Sequence, residues 1–345
     1  MTYTVKGWCP GALRPMESGD GLIVRVRPWN SALTVDQARG VAEAAARHGS
    51  GLLDLTRRAN LQLRGVAPGS LAPLQDALAS LALLDRDAQS EAARNVMVGP
   101  FAGTEARRLA SELAEAIVAD RRLHALPAKF GWLVDDGTFP TLLDQRADIA
   151  LCLLPQGVAV RARGKWLGTA ERSRAVAAAI DLALGQQRPL AAPVPPLAVR
   201  RPPPGIAGPF GRLTSAQLRG VADLAAAAGA TEIRLSPWRA LYVDGPLAGA
   251  ATLGLIVSDD DPILRIDACP GAPDCRSSTV DTRRAARLLA DRGFDGTVHL
   301  SGCAKGCARS APADLVLVGM NGRYGIVRNG TPHDPILYTI TSSEL

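Results

Sequence analysis

Aromatic side chains are scarce in this chain, 4% of 345 residues, and Ala, Leu and Val fill the apolar positions instead. No apolar run is long enough to span a bilayer, and the opening Met1-Thr2-Tyr3-Thr4-Val5-Lys6 lacks the apolar stretch of a signal peptide. A soluble, cytoplasmic protein with no membrane partner is therefore expected. No Lys/Arg run with interleaved aromatics occurs, so the formal charge of +6 does not read as a nucleic-acid footprint. Scattered solvated arginines account for most of the excess, and a polyanionic small ligand would account for arginines inside otherwise apolar strands. No G-x-G-x-x-G loop follows a strand, which leaves no dinucleotide site in the chain itself. The four histidines, at 48, 124, 299 and 333, do not fall into a two-His-one-carboxylate pattern.

The six cysteines are few but not scattered. Four of them form Cys269-Pro-Gly-Ala-Pro-Asp-Cys275 and Ser301-Gly-Cys303-Ala-Lys-Gly-Cys307, a C-x5-C and a C-x3-C pair. Thiols grouped this way in a chain without export features point to a metal centre rather than disulfides. Structural zinc favours tighter pairs, whereas four cysteines at wider spacing suit a cubane iron–sulfur cluster. Pro270, Gly271, Pro273, Gly302 and Gly306 keep both loops out of regular structure, so that backbone N–H groups can turn toward the sulfurs. Cys152, within Leu151-Cys152-Leu153-Leu154, reads as a core residue. Cys9 lies in Cys9-Pro10-Gly11-Ala12, which repeats Cys269-Pro270-Gly271-Ala272, and reads as an inert thiol with a second iron as the sharper alternative.

The chain carries an internal duplication. Leu33-Thr34, Gln37, Arg39-Gly40-Val41-Ala42, Gly49, Leu55, Leu61 and Gly65 recur without a gap as Leu213-Thr214, Gln217, Arg219-Gly220-Val221-Ala222, Gly229, Leu235, Leu241 and Gly245. Leu22 to Arg27 alternates as a strand, and Thr34 caps a helix that runs to about His48 and stops at Gly49. Further short strands are expected at Leu52 to Leu55 and Leu61 to Leu63. Longer helices are expected at about Thr104 to Leu123 and Thr279 to Arg292, each before a hairpin, at Ala147-Asp148 and Ala313-Asp314. Eight prolines between 189 and 209 mark an extended connector. The expected class is α+β with pseudo-twofold symmetry. Its units are 1–88, 89–186, a linker at 187–209, 210–260 and 261–345. Val98 stands roughly where the first half would need a counterpart of Cys269, so one cluster is expected, not two.

Together with the cysteine pairs and the duplication, Thr56-Arg57-Arg58-Ala59-Asn60-Leu61-Gln62 resembles the nitrite/sulfite reductase family over nearly the whole chain. That resemblance implies duplicated ferredoxin-like half-domains plus cluster-binding α/β domains. It also implies a [4Fe–4S] cluster on Cys269, Cys275, Cys303 and Cys307, with Cys307 nearest a tetrapyrrole. Three further segments are similar to the family branch that acts on precorrin-3A in aerobic cobalamin biosynthesis: Gly7-Trp8-Cys9-Pro10-Gly11, Leu126-Pro127-Ala128-Lys129-Phe130-Gly131, and Ser301 to Ala308. The implied reaction is an O2- and reductant-dependent hydroxylation at C20, with the ring-A acetate closing to a γ-lactone. NADH is the implied indirect electron source, delivered through a separate reductase or ferredoxin. A mononuclear non-haem iron is a further implied cofactor; the sequence does not locate its ligands, and His299 is the nearest candidate.

By family position the cations for the substrate carboxylates are Arg25, Arg58, Arg94 and Lys129, with Gln62 beside them. Arginine suits the task because its planar fork pairs two carboxylate oxygens and stays charged. Arg57 and Arg64 read as solvated. Where the family's reductases carry a second lysine beyond Lys129, this chain has Gly131, which makes room for a bulky substrate. Two alternatives stand beside the oxygenase: a sirohaem-dependent nitrite or sulfite reductase, and a non-catalytic tetrapyrrole-binding or electron-transfer iron–sulfur protein.

Overall fold

The repeated Leu-Thr-x-x-Gln text folds the same way twice. In the computed structural model, which describes residues 8–186, 190–191, 205–245 and 248–345, Thr34 caps helix Val35–His48. Its hydroxyl accepts from the Gln37 N–H (3.1 Å) while the Gln37 side chain accepts from the Thr34 N–H (3.0 Å). Thr214 and Gln217 close the same reciprocal cap on helix Ser215–Ala227. The Gln37 amide then donates to Leu81 O and the Gln217 amide to Leu253 O. Gly40 and Gly220 take those leucine side chains against their backbones, where a β-carbon would collide with them. The two helices pack on each other.

Each half also lends a strand to the other. The first sheet runs Met16–Ser18, Gly21–Val26, Leu61–Val66 and Leu52–Leu55, all antiparallel, and is completed by Arg212–Thr214 from the second half. The second sheet, Ile206–Ala207, Ala240–Tyr242 and Glu232–Leu235, is completed by Ala32–Thr34 from the first. The turns obey the same offset. Asn30 and Phe210 both sit at positive φ (54° and 60°), as do Ala59 and Arg239 (52° and 61°). One core of leucines, valines and alanines runs through both halves.

The two α/β units are also alike. Val96–Val98, Trp132–Asp135 and Ile149–Leu154 are parallel, followed by antiparallel Gly157–Ala162 and Lys165–Ala170. Ile266–Ala268, Val298–Ser301 and Ala313–Met320 are parallel, followed by antiparallel Arg323–Gly330 and Tyr338–Ile340. The crossover helices, Thr104–Ala119 and Thr282–Asp291, are both shorter than the sequence pattern predicts. Asp120 ends the first by accepting from the Arg122 N–H and starting a separate turn, Arg121–Ala125. Asp281 starts the second by accepting from the Arg284 N–H. The fold is thus α+β with pseudo-twofold symmetry. Gly7 and residues 187–189 and 192–204 of the Pro-rich connector lie outside the described residues. Among the described residues, no helix is long and apolar enough to cross a membrane.

Candidate metal centre and cationic cavity

The two cysteine loops leave the ends of adjacent parallel strands, Ile266–Ala268 and Val298–Ser301, and so start side by side. Thr282, the first residue of its helix, donates to Cys269 O (2.6 Å). Gly302 donates its N–H to Cys269 Sγ (3.1 Å), the kind of contact that stabilises a ligating thiolate. At Gly271 the backbone is left-handed (φ 70°), and a β-carbon would collide with Thr282. The Cys269 thiol is pushed up, by burial first, with the Gly302 and Gly271 N–H groups pulling the other way. The Cys307 thiol is pushed up to about 11. Loss of water on its inner side comes first, Lys305 opposes it, and Cys269, Cys303 and Cys275 add to the rise. Cys307 is therefore within electrostatic reach of the other three sulfurs, and Cys269 of Cys275. Among the described residues, no three Cys, His, Asp or Glu side chains close on a single-ion point.

Both loops are tied to the ferredoxin-like halves. Gly19 and Ser18 donate to Asp274 O, and Arg212 pairs with the Asp274 carboxylate (2.7 Å). A β-carbon at Gly19 would run into the backbone of Pro273 and Asp274, so the Gly19-Asp20-Gly21 turn fits against the first cysteine loop. On the other loop, Arg57 and Arg239 both donate to Ala308 O (3.1 Å each) and both pair with Asp267, as does Arg309.

Between the loops and the first sheet lies a cavity of about 620 Å³. Cys269, Cys275 and Cys307 line one side; Arg25, Arg57, Gln62, Arg64, Arg239, Arg276, Arg283 and Lys305 also line it, with Glu17 and Asp54 as the acidic members. That volume and this excess of cations suit a large polyanion.

Of the residues expected to bind substrate, Arg25 and Gln62 face the cavity as a cross-strand pair, with Arg25 Nη2 donating to Gln62 Oε1 (2.7 Å). Arg25 is pulled down to about 10, by burial first, then by Arg27, against the raising effect of Cys9. Cys9 thus lies against the Arg25 guanidinium, with Arg58 and Arg27 close by.

Other expectations need correcting. Arg58 does not line the cavity. It packs over Gly131 and donates to Lys129 O (2.6 Å), and a β-carbon at Gly131 would collide with Arg58 Nη1. The space that Gly131 opens is filled by the chain's own arginine, not left for substrate. Lys129 is exposed and contributes its carbonyl there. Arg94 is buried in a two-pronged pair with Asp85 (2.7 and 2.8 Å), donates to Arg27 O and stacks on Trp29. Arg64, read as solvated, is 2% exposed and grips Asp20 through two nitrogens. Arg57 is half exposed but bonded on its inner side. His299 is fully buried with both ring nitrogens unpartnered and is held down to about 4, chiefly by burial. It faces Asp267, Arg309, Arg57 and Arg239, a cationic surrounding unsuited to a metal ligand. Arg239, Arg276, Arg283 and Lys305 escaped the sequence reading. For Arg239 the one available signal is the 180-residue offset, which puts it opposite Ala59 at the same positive φ.

The nitrite/sulfite reductase ferredoxin-like half domain matches residues 14–81 and 199–250. A precorrin-3B synthase from Sinorhizobium sp is 31% identical over 396 aligned positions, covering 97% of this chain and 85% of the relative. The chain belongs to the precorrin-3B synthase branch of the nitrite/sulfite reductase family. A sulfite reductase (ferredoxin) 2 from Mycolicibacterium paratuberculosis is 35% identical over 135 residues, 33% of this chain and 24% of that protein. The structure of the Mycobacterium tuberculosis NirA protein shares the fold, with a TM-score of 0.68 at 19% identity, covering 94% of this chain and 78% of the other. This member of the nitrite/sulfite reductase family is an oxidoreductase, as its named relatives are.

Within the duplication, the cysteine pairs occur in the second half only. Counted from the strand ends, the counterpart of Cys269-Pro270-Gly271-Ala272 is Gly99-Pro100-Phe101-Ala102, so Gly99 rather than Val98 stands where the first thiol would be. Phe101 packs edge-on against Tyr242, which in turn meets Trp238. Tyr242 is the repeat counterpart of Gln62, so an aromatic cluster fills the volume that the cavity leaves open on the other side. Even the ion pair is inverted: Arg64 with Asp54 in one half, Asp244 with Arg234 in the other.

Proposed function

We propose that the chain is a precorrin-3B synthase: with O2 and a reductant it hydroxylates precorrin-3A at C20 while the ring-A acetate closes to a γ-lactone. The observation that carries this reading is a single cavity with cysteine thiols on one side and fixed guanidinium groups around the rest. The residues present fit a [4Fe–4S] cluster: Cys269, Cys275, Cys303 and Cys307 would hold it, and the Gly302 N–H already points at one sulfur. When bound, the cluster supplies single electrons at the cavity wall. One oxygen atom enters the substrate and the other leaves as water with two electrons and two protons, the electrons delivered by a separate NADH-dependent reductase or ferredoxin.

The chain's own residues bind and orient. Arg25, steadied by Gln62, presents its charge to a rim carboxylate, and Arg57 and Arg239 set the height of the second cysteine loop against the macrocycle. Holding the ring-A acetate beside the reacting carbon removes much of the entropic barrier to ring closure. The supporting experiment is a single turnover with anaerobically reconstituted protein, precorrin-3A, reductant and 18O2. The reading requires gas-derived label in the product, and unlabelled product contradicts it.

A sirohaem-dependent sulfite or nitrite reductase is the second reading, favoured by the sulfite reductase relatives. Arg58 over Gly131 weighs against it, because the glycine supplies no charged donor for a small anion. A Soret band with a red-region band in the purified protein would mark that reading.

A further inference from the structure

Arg283 is a cavity arginine whose charge the fold leaves poorly answered. Its side chain is 13% exposed, and neither Nε nor Nη1 has a hydrogen-bond partner. Its ion-pair contact runs from Nη2 to Asp54 Oδ1 at 3.5 Å, and both Asp54 oxygens are already taken by Arg212 (2.7 and 3.0 Å). The guanidinium lies over the ring of Phe210, itself a cavity residue held at positive φ. Of the other cavity arginines, Arg64 is paired with Asp20, Arg57 and Arg239 are bound to Asp267 and Ala308 O, Arg276 is solvent-exposed, and Arg25 is bonded to the neutral Gln62. Burial has pulled Arg283 down to about 10, with Asp54 opposing. A desolvated cation with unpaired donors is costly unless something completes it.

We propose that Arg283 is the specificity anchor for one rim carboxylate of the macrocycle, an assignment that rests on the reading of the cavity given above. Its place on the first turn of helix Thr282–Asp291 makes the anchor rigid relative to the cysteines. The adjacent Thr282 donates to Cys269 O, so a carboxylate held at Arg283 sits at a fixed offset from the first thiol. Asp54 keeps Arg64, Arg212 and Arg283 from repelling one another. The incoming carboxylate meets the part of the Arg283 guanidinium that faces the cavity, since Nε and Nη1 are closed off from solvent.

The test is a fluorescence titration of the cluster-reconstituted protein with uroporphyrin, an octacarboxylate, and with coproporphyrin, a tetracarboxylate. Wild type should bind uroporphyrin more tightly than coproporphyrin, and less tightly as salt rises. Arg283→Gln should weaken uroporphyrin about ten- to a hundredfold, the worth of one charge-assisted hydrogen bond, and narrow the preference over coproporphyrin. Arg283→Met, which keeps the stem on Phe210 and removes the charge, should do the same, so the test survives if one variant fails to fold by circular dichroism. Arg283→Lys should recover part of the loss. Arg284→Gln, on the exposed neighbour, should bind as wild type. Folded Gln or Met variants that bind both porphyrins like wild type overturn the anchor and leave the cavity's function standing. Wild type that binds neither porphyrin overturns the reading of the cavity, and the anchor with it.

Discussion

Gly131 and Arg58 compete for one volume, and that competition is measurable. A β-carbon at Gly131 would strike the buried end of Arg58, whose Nη1 already lacks a partner. Gly131→Ala should therefore cost about 1–3 kcal/mol, the usual penalty of overpacking. In an Arg58→Ala background the cost should largely vanish, and a double-mutant cycle on urea midpoints measures the coupling. Additive losses would show that the two do not share the space. His299 gives a pH signature. Its folded-state value of about 4 lies below the ordinary 6.5, so its neutral form favours the fold fully above pH 6.5, and that contribution is lost as pH falls toward 4. The loss amounts to about 3 kcal/mol. Asp267 opposes the depression, whereas Arg309, Arg57 and Arg239 reinforce it. His299→Leu should flatten this part of the stability profile between pH 6.5 and 4, read from urea midpoints across that range. An unchanged slope would assign it to other groups. Arg25 and Gln62 were placed by the family resemblance, and they line the cavity as a cross-strand pair. Arg57 and Arg64 were not legible, since Arg57 meets Asp267 across 210 positions and Arg64 meets Asp20 across 44. Nothing local separates such a buried pair from a solvated one.

Among the elements, the capped helices were the most legible, because Thr34 with Gln37 and Thr214 with Gln217 satisfy each other within three residues. Thr34→Ala and Thr214→Ala should each cost about 1 kcal/mol by thermal or urea unfolding. Similar values are expected, since the caps are geometric copies. A large loss at one site and none at the other would break the equivalence of the repeats. The strands before those caps were hidden. Ala32–Thr34 and Arg212–Thr214 are short and pair with the opposite half, and neither periodicity nor turn chemistry reports a partner so distant. The crossover helices were overextended for a related reason. Apolar spacing continues past Ala119, but Asp120 offers its carboxylate to a backbone N–H and ends the run.

For the whole molecule, duplication supplies the frame, and departures from it make the site. One of the two repeat-related sites keeps thiols, glycines and arginines around an open volume. The other fills the matching space with Phe101, Trp238 and Tyr242 and reverses the ion pair beneath it. The exchanged strands and the arginines reaching Asp267 and Asp274 bind the cysteine loops to both halves, so the cavity belongs to the assembled chain and to neither repeat alone. The central claim is that the four cysteines hold a cubane facing that cavity. The direct measurement is iron and acid-labile sulfide analysis, with EPR of the reduced protein before and after adding precorrin-3A. The account predicts iron and sulfide in equal amounts and a cluster signal that changes when the substrate binds. Zinc in place of iron, or a cluster signal indifferent to the substrate, would contradict it.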